Sequence, residues 1–124
     1  LPNPPVIAVV EDDAAMREAL SDLLEVASFA CRTFERAEIF LAEFSTSRFD
    51  CIISDLHLPG ISGLELQQKL RGLGASIPVI IVTSSVDPLS RARAMQEGAF
   101  AYLTKPFNDK VLIHQVMTAL GRKS

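Results

Sequence analysis

A chain of 124 residues is the length of one domain. Its composition, 48% apolar and 22% charged, is that of a soluble globular fold. A formal net charge of −3, from 12 basic and 15 acidic side chains, argues against direct binding of nucleic acid, which needs a basic patch for the phosphates. No apolar run approaches the roughly 20 residues that span a bilayer, so no membrane contact is expected either.

The opening "LPNPP", residues 1–5, is neither a signal peptide nor a charged targeting helix and is expected to form a disordered leader. "VIAVV" (Val6–Val10) follows, a continuous apolar, β-branched run of the kind that forms a strand buried on both faces. Met16, Leu20, Leu23, Leu24 and Ala27 then recur at helical spacing, with Asp13 placed to cap that helix. "ACRTF" (Ala30–Phe34) is a weaker strand, expected near an edge, and Ile39, Phe40 and Phe44 mark a less regular second helix. "CIIS" (Cys51–Ser54) is the third strand and runs into Asp55. "SGLE" (Ser62–Glu65) is a capping box, and it opens a helix carrying Leu64, Leu66, Leu70 and Leu73. "PVIIVT" (Pro78–Thr83) is the fourth strand, and Asp87–Pro88 gives an N-cap with proline at the first helical position. "AFAYL" (Ala99–Leu103) is the fifth strand. Asn108 caps a last helix with Leu112, Val116, Ala119 and Leu120 toward the sheet. Ile113 and Met117 form a second apolar stripe on that helix. They are expected to join Tyr102, Leu89 and Arg93 in one mixed surface. Residues 6–121 thus read as one domain and 122–124 as the start of a linker. Cys31 and Cys51 fall within strands and read as small hydrophobes, not as a disulfide, which fits a reducing cytoplasm.

Five β-α units in sequence predict an α/β fold: a flavodoxin-like, doubly wound (βα)5 with a parallel five-stranded sheet in the order 2-1-3-4-5. Ligands of such sheets sit beyond the C-terminal strand ends, at the point where strand order reverses. The first strand ends in Glu11, Asp12 and Asp13, the third in Asp55, the fourth in Thr83, and the fifth runs into Lys105. A lone acid at a strand end is usually a turn or cap residue. Here Glu11, Asp12 and Asp55 converge, and two like charges 4 Å apart repel by about 4 kcal/mol at an effective dielectric near 20. Hard oxygen donors in such a cluster suit Mg²⁺, which takes one or two carboxylates and a phosphate oxygen. Lys105 adds a compact positive charge and Thr83 a hydroxyl. Together these are the parts needed to receive a phosphoryl group, a transfer that is mostly positioning and charge neutralisation.

The stretches "VVEDDAAMREAL", "DLHLPGISGLEL", "VTSS" and "EGAFAYLTKPF", in this order and spacing, resemble the bacterial two-component response-regulator receiver domain from about Val6 to Leu120. "PGISGLELQ" further resembles the FixJ-like subgroup, whose receivers often precede a helix-turn-helix DNA-binding domain. The resemblance implies that Asp55 is the phospho-acceptor. It implies that Asp12 binds Mg²⁺ directly, Glu11 through water, and His57 through its backbone carbonyl. It makes Lys105 the phosphate-pairing lysine, Thr83 the switch hydroxyl and Tyr102 the aromatic that turns inward when Thr83 moves. It also favours a cis bond between Lys105 and Pro106. Glu11 stands where Asp is common, His57 and Ser85 flank the route of the hydrolytic water, and Ser62 replaces an acid.

The expected function is therefore that of a phospho-acceptor signalling domain, not a turnover enzyme. A sensor histidine kinase donates the phosphoryl group to Asp55, and the modification switches a surface on helix 4, strand 5 and helix 5. Implied partners are that kinase, the chain's own output domain, expected to be a helix-turn-helix DNA-binding domain, and a second copy in a phosphorylation-dependent homodimer. Two alternatives come from other classes. A haloacid-dehalogenase-like aspartyl phosphatase would need its nucleophile on the first strand and a substrate cap. A flavodoxin-like nucleotide-binding module would need N–H or hydroxyl donors where "EDDAA" presents carboxylates.

Overall fold

The structure is a computed structural model that describes residues 3–121. Five strands alternate with five helices. They are β1 (Val6–Val10), α1 (Ala14–Val26), β2 (Ala30–Phe34), α2 (Ala37–Phe44), β3 (Cys51–Asp55), α3 (Gly63–Gly72), β4 (Val79–Thr83), α4 (Pro88–Gln96), β5 (Ala101–Thr104) and α5 (Asp109–Ala119). The strands form one parallel sheet in the order β2-β1-β3-β4-β5, as expected. The fifth strand starts two residues later than its apolar run suggests. The chain turns at Gly98 with φ +96°, and the Ala99 amide is still tied to the Ala94 carbonyl at the end of α4.

Side chains of a strand alternate between the two faces of the sheet, and the two cores follow from that period. Ala8, Val10, Ile52 and Ile81 point to one face, where α2, α3 and α4 cover them with Phe40, Leu66, Leu70 and Ala94. Phe34 packs edge-on against Phe40 and Phe49 there, and Phe40 lies tilted on Phe49, with ring centroids 5.1–5.9 Å apart. Ile7, Val9, Ile53, Ile80 and Val82 point to the other face, beneath Leu20 and Leu24 of α1 and Leu112 and Val116 of α5. Burial on both sides explains why β1, β3 and β4 read as unbroken apolar runs.

The helix starts obey their capping residues. Asp13 accepts from the Ala15 and Met16 amides. Ser62 and Glu65 form the reciprocal capping box. Asp87 accepts from the Leu89 amide, and Asn108 from that of Lys110. Pro5, placed in the expected leader, is buried, and its carbonyl accepts the Ala30 amide. Residues 1 and 2 and the expected linker start at 122–124 lie outside the described residues. Among the described residues no helix is long and apolar enough to cross a membrane.

The second stripe of α5 departs from expectation. Ile113 and Met117 line a groove with Leu23 and Val26 of α1 and Ala27 just after it. Helix α5 lies on the α1 side of the sheet, whereas α4 and Tyr102 belong to the opposite core. Ile113 and Met117 therefore do not join the patch around Tyr102, Leu89 and Arg93.

Candidate functional site

The site begins with strand register. Val10 pairs with Ser54 across β1 and β3, so the next residues, Glu11 and Asp55, lie side by side at the C-terminal rim. Both are buried, Glu11 to 1% and Asp55 to 8% exposure. Lys105 enters from the loop after β5 and bridges them. Its Nζ lies 2.6 Å from Glu11 Oε1 and 2.9 Å from Asp55 Oδ2. Backbone fixes the lysine: its amide donates to the Thr83 carbonyl at 2.7 Å, and the Lys105–Pro106 bond is cis.

The other Asp55 oxygen, Oδ1, accepts the His57 amide at 3.0 Å. The loop that supplies this donor folds tightly onto the strand end. The Gly63 amide donates to the Leu56 carbonyl at 2.9 Å. A Cβ at Gly63 would run into the Asp55 carbonyl and the Leu56 Cα, so only glycine lets α3 begin this close. The His57 imidazole is exposed.

Asp12 differs from its neighbours. Glu11 is tied on three sides: its amide to the Phe34 carbonyl, Oε2 to the Asp13 amide, and Oε1 to Lys105. The Asp12 side chain is exposed, and among the described residues no hydrogen bond holds its carboxylate. Carboxylate oxygens of Glu11, Asp12 and Asp55 all lie within 4.8 Å of one another. This acidic cluster can hold a metal ion: three hard oxygen donors converge, and one of them has no competing partner.

Burial sets the electrostatics. Desolvation pushes the Glu11 carboxyl above its ordinary value; the Asp55 charge adds to the rise, and the Lys105 hydrogen bond works against it. Burial alone would lower the Lys105 ammonium. The hydrogen bonds to Glu11 and Asp55 and their charges outweigh it, and the lysine is held above its ordinary value. One lysine against three carboxylates leaves the cluster with a formal −2 (−3 + 1) when all are ionised.

Thr83 ends β4 and is fully buried, and its Oγ1 accepts the Ser85 amide at 3.2 Å. Ser85 is also bonded elsewhere. Its Oγ accepts the Asp87 amide, and its carbonyl accepts the Tyr102 hydroxyl at 3.4 Å. Tyr102 is already turned in, at 6% exposure, with the Arg91 guanidinium 5.6 Å from its ring centroid. Desolvation raises its phenol above the ordinary value.

The response regulator receiver domain family matches residues 7–117. The chain belongs to that family. It is 36% identical over 114 residues to the transcriptional regulatory protein FixJ of Bradyrhizobium diazoefficiens, a match covering 92% of this chain and 56% of that protein. It is 35% identical over 115 residues to the response regulator protein TodT of Pseudomonas putida, covering 93% of this chain and 51% of TodT. The chain thus spans just over half the length of these curated relatives. Its receiver fold superposes on the crystal structure of FixJ-N with a TM-score of 0.89 at 32% identity, covering 97% of this chain and 96% of that one. The BeF3-activated DrrB receiver domain gives 0.87 at 31% identity, covering 96% and 99%. The phosphatase and nucleotide-binding readings find no support beside these matches.

Glu11, Asp12, Asp55 and Lys105 are brought together at the C-terminal strand ends, and Thr83 stands at the next strand end. Arg17, Gly63 and the several bonds of Ser85 are not among the features expected from the sequence. Gly63 carried a signal, since a glycine directly after a capping serine is a poor helix former with no helical reason to be there. Arg17 carried a weaker one: a long donor one turn past an N-cap can reach back over the loop before it.

Proposed function

We propose that residues 6–121 form the phosphoryl-accepting domain of a longer response regulator, and that Asp55 is the acceptor. The observation that carries this reading is the placement of Asp55. It is a buried strand-end carboxylate with one oxygen held by a backbone amide and the other by Lys105, beside two further acids. The amide and the lysine fix the carboxylate in place, so little reorganisation stands between binding and reaction. One Asp55 oxygen bonds to phosphorus, the P–N bond to a kinase phosphohistidine breaks, and the imidazole leaves with the nitrogen lone pair and takes a proton.

Glu11, Asp12, Asp55 and the His57 carbonyl would hold Mg²⁺. When bound, the ion neutralises the acids and the phosphoryl oxygens during transfer. Lys105 already reaches Asp55 and supplies the remaining positive charge to the acyl phosphate. The Thr83 hydroxyl is the group that exchanges its Ser85 partner for a phosphoryl oxygen. Tyr102 reads that exchange, because it is bonded to the same serine. The surface reshaped is that of α4, β5 and α5 without the Ile113–Met117 stripe. Its readers are a helix-turn-helix output domain carried by the longer chain or a second phosphorylated copy, in the cytoplasm.

The test is intact-mass spectrometry after incubation with a small acyl phosphate and Mg²⁺. The wild-type chain should gain one phosphoryl group, Asp55→Asn none, and Asp12→Ala far less at the same Mg²⁺. Equal labelling of Asp55→Asn would mean that another residue is the acceptor.

A further inference from the structure

We infer that Arg17 is a positioning residue that aims the acidic cluster at its cation by holding backbone, not carboxylate. The inference rests on the metal reading of Glu11, Asp12 and Asp55 given above. Arg17 lies in the first turns of α1 and is half-buried. Its Nη1 donates to two consecutive carbonyls, Glu11 O at 2.9 Å and Asp12 O at 3.1 Å. These carbonyls belong to the two residues of the β1–α1 loop whose carboxylates face Asp55.

The loop needs such a clamp. The β1–β3 pairing ends at Val10, and α1 starts at Ala14, so neither sheet nor helix provides donors for these two carbonyls. Each other polar group of Glu11 is spoken for by Phe34, Asp13 or Lys105. The Asp12 carboxylate has none of these ties, and its direction is set only by the backbone beneath it. Arg17 fixes that backbone. It differs in this from Lys105, whose ammonium binds the carboxylate oxygens of Glu11 and Asp55 themselves. A guanidinium serving the carbonyls leaves the acid oxygens free for a cation while satisfying the loop.

The sign of the effect separates this role from simple electrostatics. A positive side chain near a cation site repels the cation, so on charge alone removal of Arg17 tightens Mg²⁺ binding. A positioning role requires the reverse. Loss of a group that orients metal ligands typically costs about 10–100-fold in affinity.

Mg²⁺ titration by calorimetry on the metal-free chain, with wild type, Arg17→Met and Arg17→Lys, is the experiment. Wild type should bind, Arg17→Met should bind about 10-fold more weakly, and Arg17→Lys, which keeps a donor on a flexible stem, should recover part of the loss. Melting of each metal-free variant reports folding separately, and hydrogen exchange at the Asp12 and Asp13 amides should quicken in Arg17→Met. Unchanged or tighter binding by a folded Arg17→Met overturns the inference and leaves the metal reading intact. Absence of Mg²⁺ binding by wild type overturns the metal reading and the inference with it.

Discussion

Only Ser54 separates Ile53 from Asp55 on β3, and the strand end is nearly as buried as its middle. The two positions nevertheless do opposite work. Ile53 is surrounded by aliphatic side chains of α1, α5 and the neighbouring strands, and its burial contributes to folding. Asp55 is surrounded by a lysine, a backbone amide and two further acids, and its burial is offset only in part. The sheet centre is therefore a finished structure, whereas the rim is left with excess negative charge. Like charges crowded at one rim beyond what a single lysine neutralises point to a cation that binds there.

Stability measurements can break this contrast. Ile53→Ala should cost about 2–5 kcal/mol in urea unfolding, the range for a fully buried aliphatic residue. Asp55→Asn should cost nothing, or should stabilise the metal-free chain, because it removes one of three crowded acids. Comparable losses in both variants would make the rim structural.

Metal addition sharpens the same contrast. At free Mg²⁺ of about 100 times its Kd, wild type should gain about 2.7 kcal/mol of stability. Ile53→Ala should keep that gain, since its site is distant in chemistry though near in sequence, and Asp12→Asn should lose most of it. Melting with and without Mg²⁺ reads both. An equal Mg²⁺ gain in Asp12→Asn would place the ion elsewhere.

The glycine at the start of α3 belongs to the rim by contact and to the core by burial. Gly63→Ala should cost about 1–3 kcal/mol, the scale of overpacking, because its Cβ meets backbone that cannot rotate away. It should also slow phosphorylation, since the obstructed atoms belong to Asp55 and Leu56. A variant with wild-type stability and labelling rate would show that the loop yields freely.

What could be read from the sequence divides along similar lines. The unbroken apolar runs and the capping signals of Asp13, Ser62–Glu65, Asp87 and Asn108 placed the elements, because both are local and each has one physical cause. The acids and Lys105 were legible because strand ends in a parallel sheet converge whatever lies between them. The direction of Ile113 and Met117 was not, since a helical stripe says which residues share a face but not which neighbour receives it. Arg17 escaped for a related reason. Its partners are carbonyls, which every residue has, so no pattern of side chains marks them. Tyr102 was expected to turn inward on activation, yet its hydroxyl already reaches the Ser85 carbonyl, a contact set by a loop whose shape no periodicity describes.

The smallest expected effect is a pH dependence, and its sign follows from the buried glutamate. Desolvation, reinforced by the Asp55 charge, raises the folded Glu11 carboxyl above 4.5, against the pull of Lys105. Between 4.5 and that raised value the folded chain holds more protons at Glu11 than the unfolded chain does. The Glu11 contribution to stability is therefore fully present below 4.5 and is lost as pH rises through the folded value. Lys105 is raised as well, so its contribution is fully present below 10.5 and does not change across the acid window. Glu11→Gln removes the titration but keeps an oxygen for Lys105. In metal-free buffer the stability of wild type minus that of Glu11→Gln should fall as pH rises from 4.5 through the folded value. Paired urea titrations across that range measure the difference directly. A difference that grows with pH would mean that the Lys105 pairing outweighs desolvation and that the glutamate is held down, not pushed up. Added Mg²⁺ should reverse the order at neutral pH, since the ion binds the ionised carboxylate that the metal-free fold disfavours.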